Sequence, residues 1–399
     1  MVLATAACAG NSGADLALPE PHPLDTPAGD SAMHPFVATY GNDVILSWTD
    51  RTAAGHALRY AVWDGTGWGT TGTVAAGANW FVNWADFPSV VVLDNGTWAA
   101  HWLQRSGPGR FAYDVLVATS ADGTTWSDPV RPHADATETE HGFVSIFPHA
   151  GAGAIVWLDG RHFADGEHGA ATSEMQLRFT TLRHTGRSTE TGAEILLDDR
   201  ICECCQTAAV VTARGPVVFY RDRLPGEIRD ISVTRKVDGA WTQPQRVHED
   251  GWSIDACPVN GPAADAVGDD IAVAWFTAAD ATPRVHLAFS TDAGATFGAP
   301  ITVDDGAPIG RVDVLFLDRD RALVVWLERA GEDAEIRGRI IARNGNTGAS
   351  APLVATTAGR AGGFPRMAKR GSDVILAWTE PGETSRIRAA LLPFGTAGR

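Results

Sequence analysis

The chain has 399 residues, of which 20% are charged, and a formal net charge of -16 at pH 7. That balance opposes nucleic acid and anionic membrane surfaces as partners, because both are held by basic stripes. No run approaches the 18 apolar residues of a membrane-spanning helix.

The first feature along the chain is Leu3-Ala4-Thr5-Ala6-Ala7-Cys8. Small residues ahead of a cysteine resemble a bacterial lipobox, which implies export to the periplasm or outer membrane and a lipid tether at Cys8. Residues 1–14 read as signal remnant and linker, and 15–399 as a single domain.

From there one short phrase returns seven times: an aliphatic run that ends in an aromatic residue, centred on Trp48, Trp102, Trp157, Tyr220, Trp275, Trp326 and Trp378. The centres lie 54, 55, 63, 55, 51 and 52 residues apart. This is the length of a four-stranded sheet with its turns, so the repeat predicts a seven-bladed β-propeller, with six blades as the alternative. In the third repeat the strands fall at Phe143 to Pro148, Ala154 to Leu158, Met175 to Leu182 and Glu194 to Leu197. The seventh repeat ends after three strands, so a strand from around Asp15 to Leu18 is expected to complete it and leave no open edge.

The turns carry a second signature. Ser290-Thr291-Asp292-Ala293-Gly294-Ala295-Thr296-Phe297 fits S-x-D-x-G-x-T-[WF], and Ser120 to Trp126 falls one residue short of it. In such a turn the aspartate accepts N–H groups and the glycine takes positive φ. With the repeat period, this box makes the chain resemble the sialidase-like Asp-box (BNR) propeller superfamily. The resemblance implies a propeller over nearly the whole chain. It implies less about chemistry, which must be argued from the site.

An acidic residue stands two places after most of the central aromatics, at Asp50, Asp159, Asp222, Glu328 and Glu380. Arginines stand close by at Arg51, Arg105, Arg161, Arg223 and Arg329. This pattern reads either as a ring of inter-blade salt bridges or as a polar cleft that grips an acidic sugar with bidentate arginines. Blades 3 and 4 are densest, with Arg161, His162 and His168 in one long loop and Glu227, Arg229 and Asp230 in another. A sialidase needs an arginine cluster, a tyrosine nucleophile with its glutamate, and an aspartic acid. Asp159, Arg161, Tyr220, Asp222 and Arg223 are the catalytic candidates for such an enzyme, and Arg51, Arg105, His162 and Arg229 would bind the ligand. The Arg-Ile-Pro stretch of sialidases is missing, however; that region reads His34-Pro35-Phe36-Val37-Ala38-Thr39.

The remaining signal is cysteine. Cys202, Cys204 and Cys205 precede blade 4 and Cys257 precedes blade 5, while His141 holds the matching place in blade 3. Three chemistries stay open: disulfides, a copper or zinc site made by the four cysteines and His141, or a redox pair. The favoured expectation is a non-catalytic protein that binds a metal ion or small molecule at the channel mouth. The rivals are a carbohydrate-active enzyme acting on acidic glycans and an interaction scaffold.

Overall fold

Each of the seven central aromatic residues anchors the second strand of one blade in the computed structural model, which describes residues 16–163 and 174–395. Cys8, Asp15 and His168 lie outside the described residues. Blade 1 pairs Ala32–Tyr40, Asp43–Thr52, Gly55–Trp63 and Gly72–Gly77 in antiparallel order, and the pattern recurs round the ring. Blade 3 runs His141–His149, Ala152–Asp159, Met175–Thr185 and Ile195–Ile201, with a short strand Ser188–Thr191 beside it. Blade 2 keeps three strands, and its third strand forms an isolated bridge to Val130 in place of a fourth.

Blade 7 is closed by the N-terminal segment, as expected, but the closing strand is His22–Leu24, paired with Arg386–Leu392. Leu16 and Leu18 instead pack against the apolar cluster between blades 6 and 7. The correction has a physical cause. His22-Pro23-Leu24 contributes Pro23 to a strand at the sheet edge, where a missing N–H is tolerated, whereas the leucines are worth more buried.

Trp48, Trp157, Trp275 and Trp326 are all at most 1% exposed. A buried indole removes roughly 150–250 Å² from water, about 4–6 kcal/mol at about 25 cal/mol per Å². The polar N–H must still be satisfied. In blades 1, 3 and 6 the acid two places on accepts it: Trp48 Nε1 donates to Asp50 Oδ1 at 2.8 Å, Trp157 to Asp159 Oδ2 at 2.7 Å, and Trp326 to Glu328 Oε2 at 2.5 Å. Blade 5 has Thr277 at that place, and Asp250 supplies the acceptor at 2.7 Å. Arginines face these tryptophans on the third strand, at Arg59, Arg178 and Arg337. Arg59 pairs with Asp50 at 2.7 Å. Three of the repeated acids therefore cap an indole within their own blade, while Asp222 accepts from Ser232 and Glu380 pairs with Arg388 at 2.7 Å, also within their own blades.

The aspartate turns behave as their chemistry requires. Asp122 Oδ1 accepts the N–H groups of Thr124 and Thr125, and Asp292 accepts that of Thr296. Both turns sit at the end of a blade's third strand, away from the mouth.

Candidate functional site

The loops leading into blades 2, 3, 4, 5 and 7, with the loops after the second strands of blades 2 and 4, enclose a cleft of about 590 Å³. Its walls include Trp84, Arg110, Phe111, Glu140, Glu203, Cys204, Arg223, Arg229, Asp255, Cys257 and Arg360. Four arginines thus face three carboxyls, in a protein whose net charge is -16. Arg110 lies over the Phe111 ring at 5.1 Å and Arg360 over Trp84 at 5.7 Å. Among the described residues neither has a carboxylate partner. Both therefore offer a guanidinium backed by an aromatic face. Arg311 lies over Trp84 at 4.7 Å and donates to the Gly359 and Gly363 carbonyls. Burial, and then the Arg360 charge, lower its pKa to about 10.

Glu140 ends a chain of three groups, with Tyr113 and Asp86 behind it. Tyr113 begins the third strand of blade 2, and its hydroxyl is 2.7 Å from Glu140 Oε1 and 2.8 Å from Asp86 Oδ2. A phenol has one proton, so one of these contacts needs a proton on a carboxyl. Asp86 carries it. Burial, outweighing the Phe143 N–H and Tyr113 hydroxyl bonds and aided by the Glu140 charge, pushes its pKa up to about 8. At neutral pH the chain therefore runs from a protonated Asp86 through Tyr113, whose own proton is donated to Glu140. Asp86 Oδ1 also accepts from the Phe143 N–H at 2.8 Å. Gly142 makes the arrangement possible, because a Cβ there would overlap Asp86 Oδ2. Tyr113 is fully buried against Phe81, with ring centroids 3.8 Å apart, so Glu140 is the member that faces the cleft.

The floor under blade 4 is a closed ion network. Glu203 takes Arg223 at 2.6 Å and Arg229 at 2.7 Å on its two oxygens. Glu227 takes the same two arginines at 2.9 Å each, and Arg200 at 2.9 Å. Three guanidiniums thus share two carboxylates in this floor. Next to it, Cys204 and Cys257 form a disulfide across 53 residues that ties the loops leading into blades 4 and 5. Cys202 and Cys205 are buried, with their sulfurs 2.7 Å apart. Burial and the Cys205 contact push the Cys202 thiol up, whereas for Cys205 the Cys202 contact and the Arg221 charge outweigh burial and hold it down.

The residues singled out from the sequence are divided among several places. Asp159 caps Trp157 and is gripped by Arg161 at 2.7 Å, which also reaches Glu194 at 2.6 Å. Tyr220 donates to Asp198 Oδ2 at 2.5 Å. Asp222 accepts from Ser232 at 2.7 Å, and burial and the Asp198 charge raise its pKa to about 6. Arg223 and Arg229 do line the mouth, but in the floor network. Arg51, Arg105 and His162 are exposed, and Arg105 lies over Phe81 at 5.4 Å.

His141 sits away from the sulfurs. Its Nε2 is 3.2 Å from Asp135 and 3.7 Å from Asp159, and its Nδ1 is 3.8 Å from Asp114. Its ring stacks on His133, with centroids 3.8 Å apart and planes 1° from parallel. An imidazole lone pair lies in the ring plane, so one ion cannot be in line with both stacked rings. Asp86, Tyr113, Glu140, Arg110 and Arg360 were not singled out from the sequence.

No protein-family model matches the chain, and no curated protein does. Solved structures share its fold. A protein of unknown function from Dyadobacter fermentans is 14% identical at a TM-score of 0.52, over 95% of this chain and 99% of that one. Polysaccharide lyase Uly1 is 12% identical at a TM-score of 0.52, over 91% and 90%. Trypanosoma rangeli sialidase, 11% identical over 81% of this chain and 56% of its own, has a TM-score of 0.49. At these identities the likeness establishes the propeller and nothing of its chemistry.

Proposed function

We propose that the chain is a carbohydrate-active propeller that takes an acidic glycan into the mouth cleft and cleaves it by proton transfer at Glu140. Arg110 and Arg360, each backed by an aromatic ring, bind the sugar carboxylate, and Tyr113 and Asp86 position Glu140. The observation that carries this reading is the Asp86–Tyr113–Glu140 chain, which ends at a cleft holding two guanidiniums without carboxylate partners. A buried acid kept protonated beside a carboxylate is a common acid/base device.

The reaction class that suits it is elimination beside a uronate carboxylate. Neutralising that carboxylate acidifies the adjacent C–H: Glu140 takes the proton, the C–H electron pair becomes the C=C bond, the C–O bond to the neighbouring sugar breaks, and the leaving oxygen receives a proton from the Glu140 carboxyl or from water. A retaining hydrolase instead needs two carboxyls that flank the scissile bond, and here both share one phenol on the same side. The name of one fold neighbour, a polysaccharide lyase, agrees with this class. We place the protein outside the cytoplasm, tethered through Cys8, where such polymers are met. The test is incubation with uronate- and sialate-bearing polymers, tracking ultraviolet absorbance of an unsaturated product alongside reducing ends. Unsaturated product that falls about 10²- to 10⁴-fold in Glu140→Gln supports the proposal. Reducing ends without unsaturation overturn the elimination, and neither binding nor turnover across the panel overturns the glycan reading.

One observation favours a second reading, a copper or zinc protein: the sulfurs of Cys202, Cys204 and Cys257 lie within 4.8 Å of one another. It requires the Cys204–Cys257 bond to be reduced.

A further inference from the structure

Four sulfurs form a line from solvent into the core beside the cleft. Cys257 is exposed, Cys204 half-buried, and Cys202 and Cys205 are each 1% exposed. The outer two are bonded to each other, with Cα atoms 6.2 Å apart, and the inner two are thiols 2.7 Å apart, inside van der Waals contact. Cys202 belongs to both groups, since its Sγ is within 4.8 Å of both sulfurs of the disulfide. Cys202 and Cys205 also have C-x-x-C spacing, over which a disulfide closes readily, whereas one between Cys202 and Cys204 would close a strained C-x-C loop. A disulfide and a dithiol held this close are the two reactants of thiol–disulfide exchange.

We propose that these four cysteines form an exchange site in which the buried Cys202/Cys205 dithiol reduces the Cys204–Cys257 disulfide lining the cleft. In the first step the Cys202 thiolate attacks Cys257 Sγ; a Cys202–Cys257 bond forms, the Cys204–Cys257 bond breaks, and Cys204 leaves as a thiolate. In the second, the Cys205 thiolate attacks Cys202 Sγ and Cys257 leaves. The protons given up by Cys202 and Cys205 end on Cys204 and Cys257. Two thiols are oxidised and one disulfide is reduced, so no outside oxidant is needed. Arg221 and Arg229 favour the thiolate at Cys205, and Cys205, in contact with the Cys202 thiol, takes the Cys202 proton for the first step.

The consequence is local to the mouth. In one isomer the loops leading into blades 4 and 5 are tied together; in the other they are released and two thiols face the cleft. Cys257 is also the sulfur through which an outside thiol would reach the buried pair. The inference does not depend on the glycan reading, because its readout is the pairing of sulfurs and not turnover.

The experiment is thiol trapping on the full chain, purified without reductant and equilibrated anaerobically in a graded glutathione buffer, with disulfides mapped by peptide mass. The expected wild-type result is one disulfide per chain, divided between Cys204–Cys257 and Cys202–Cys205. Cys205→Ser should accumulate the Cys202–Cys257 bond, and Cys202→Ser should hold only Cys204–Cys257. Cys257→Ser should slow oxidation of the buried pair by glutathione by about tenfold or more, because the exposed sulfur is gone. A wild-type chain that keeps Cys204–Cys257 alone at every ratio overturns the proposal, and this measurement needs no variant. Two disulfides that form independently overturn it as well. So does near-stoichiometric copper or zinc with all four thiols alkylated only after chelation, which would establish the metal reading.

Discussion

In blade 6, Trp326 gives its indole N–H to Glu328, and Arg337 faces it from the third strand. In blade 2 the same strand carries Trp102 and then Gln104, the acid has moved to Asp86 ahead of the first strand, and the third strand begins with Tyr113. The first arrangement satisfies one polar group of a buried tryptophan and stops there. The second leaves a chain of three groups that ends at a cleft. Side chains that repeat from blade to blade hold each blade together, and side chains that depart from the repeat build the mouth. Asp159 is the instructive case: it has the residue type and neighbourhood of a catalytic acid, yet Trp157, Arg161 and His141 occupy it.

The distinction between the two regions would collapse if substitutions in them had the same effect. Glu140→Gln should cost about 10²- to 10⁴-fold in kcat/KM on a cleavable glycan, with the melting curve retained; a matching loss from Glu328→Gln would erase the distinction. Trp326→Ala should cost about 3–5 kcal/mol of stability by urea denaturation, while glycan affinity per folded molecule stays unchanged.

A pH series separates the two regions further. Asp86 titrates near 8 in the folded chain against an ordinary 3.8, so the folded state holds a proton that the unfolded state has lost. Its contribution to stability is complete below about 4, declines as pH rises, and is gone above about 8. Asp86→Asn keeps the neutral shape, and the difference in melting temperature between variant and wild type should therefore widen in the variant's favour from pH 4 to pH 8. A flat difference would mean that Asp86 is ionised at neutral pH and that the proton chain is wrong. The smallest effects belong to the rim. Arg110→Ala and Arg360→Ala should each weaken binding of an acidic glycan by about tenfold, as loss of a charge-assisted contact does, should leave neutral glycans unaffected, and should change stability by no more than about 0.5 kcal/mol.

Much of this architecture is legible in the sequence. A seven-fold aromatic phrase with a period near 54 residues predicts a propeller ring, and the aspartate turns arise from side chains that bond within four residues of themselves. These are short-range or periodic signals, which a chain carries in its order of residues. The site is another matter. Asp86, Tyr113 and Glu140 are 27 residues apart at each step and lie on two blades, so only the packing of blade 3 against blade 2 brings them to one point. The same holds for the partition of the cysteines: spacing placed all four near the mouth, but the distances that bond Cys204 to Cys257 and leave Cys202 with Cys205 are tertiary quantities. The paired acid and tryptophan also misled for a physical reason, since a carboxylate that will cap an indole and one that will take a substrate proton look alike until their neighbours are in place. By itself the sequence determined the blade and its turns, because hydrophobic period and turn chemistry are local. Which carboxyl is protonated, which guanidinium faces solvent without a partner and which sulfurs meet were decided only by the closed ring, because burial and contact between blades exist only once it has formed.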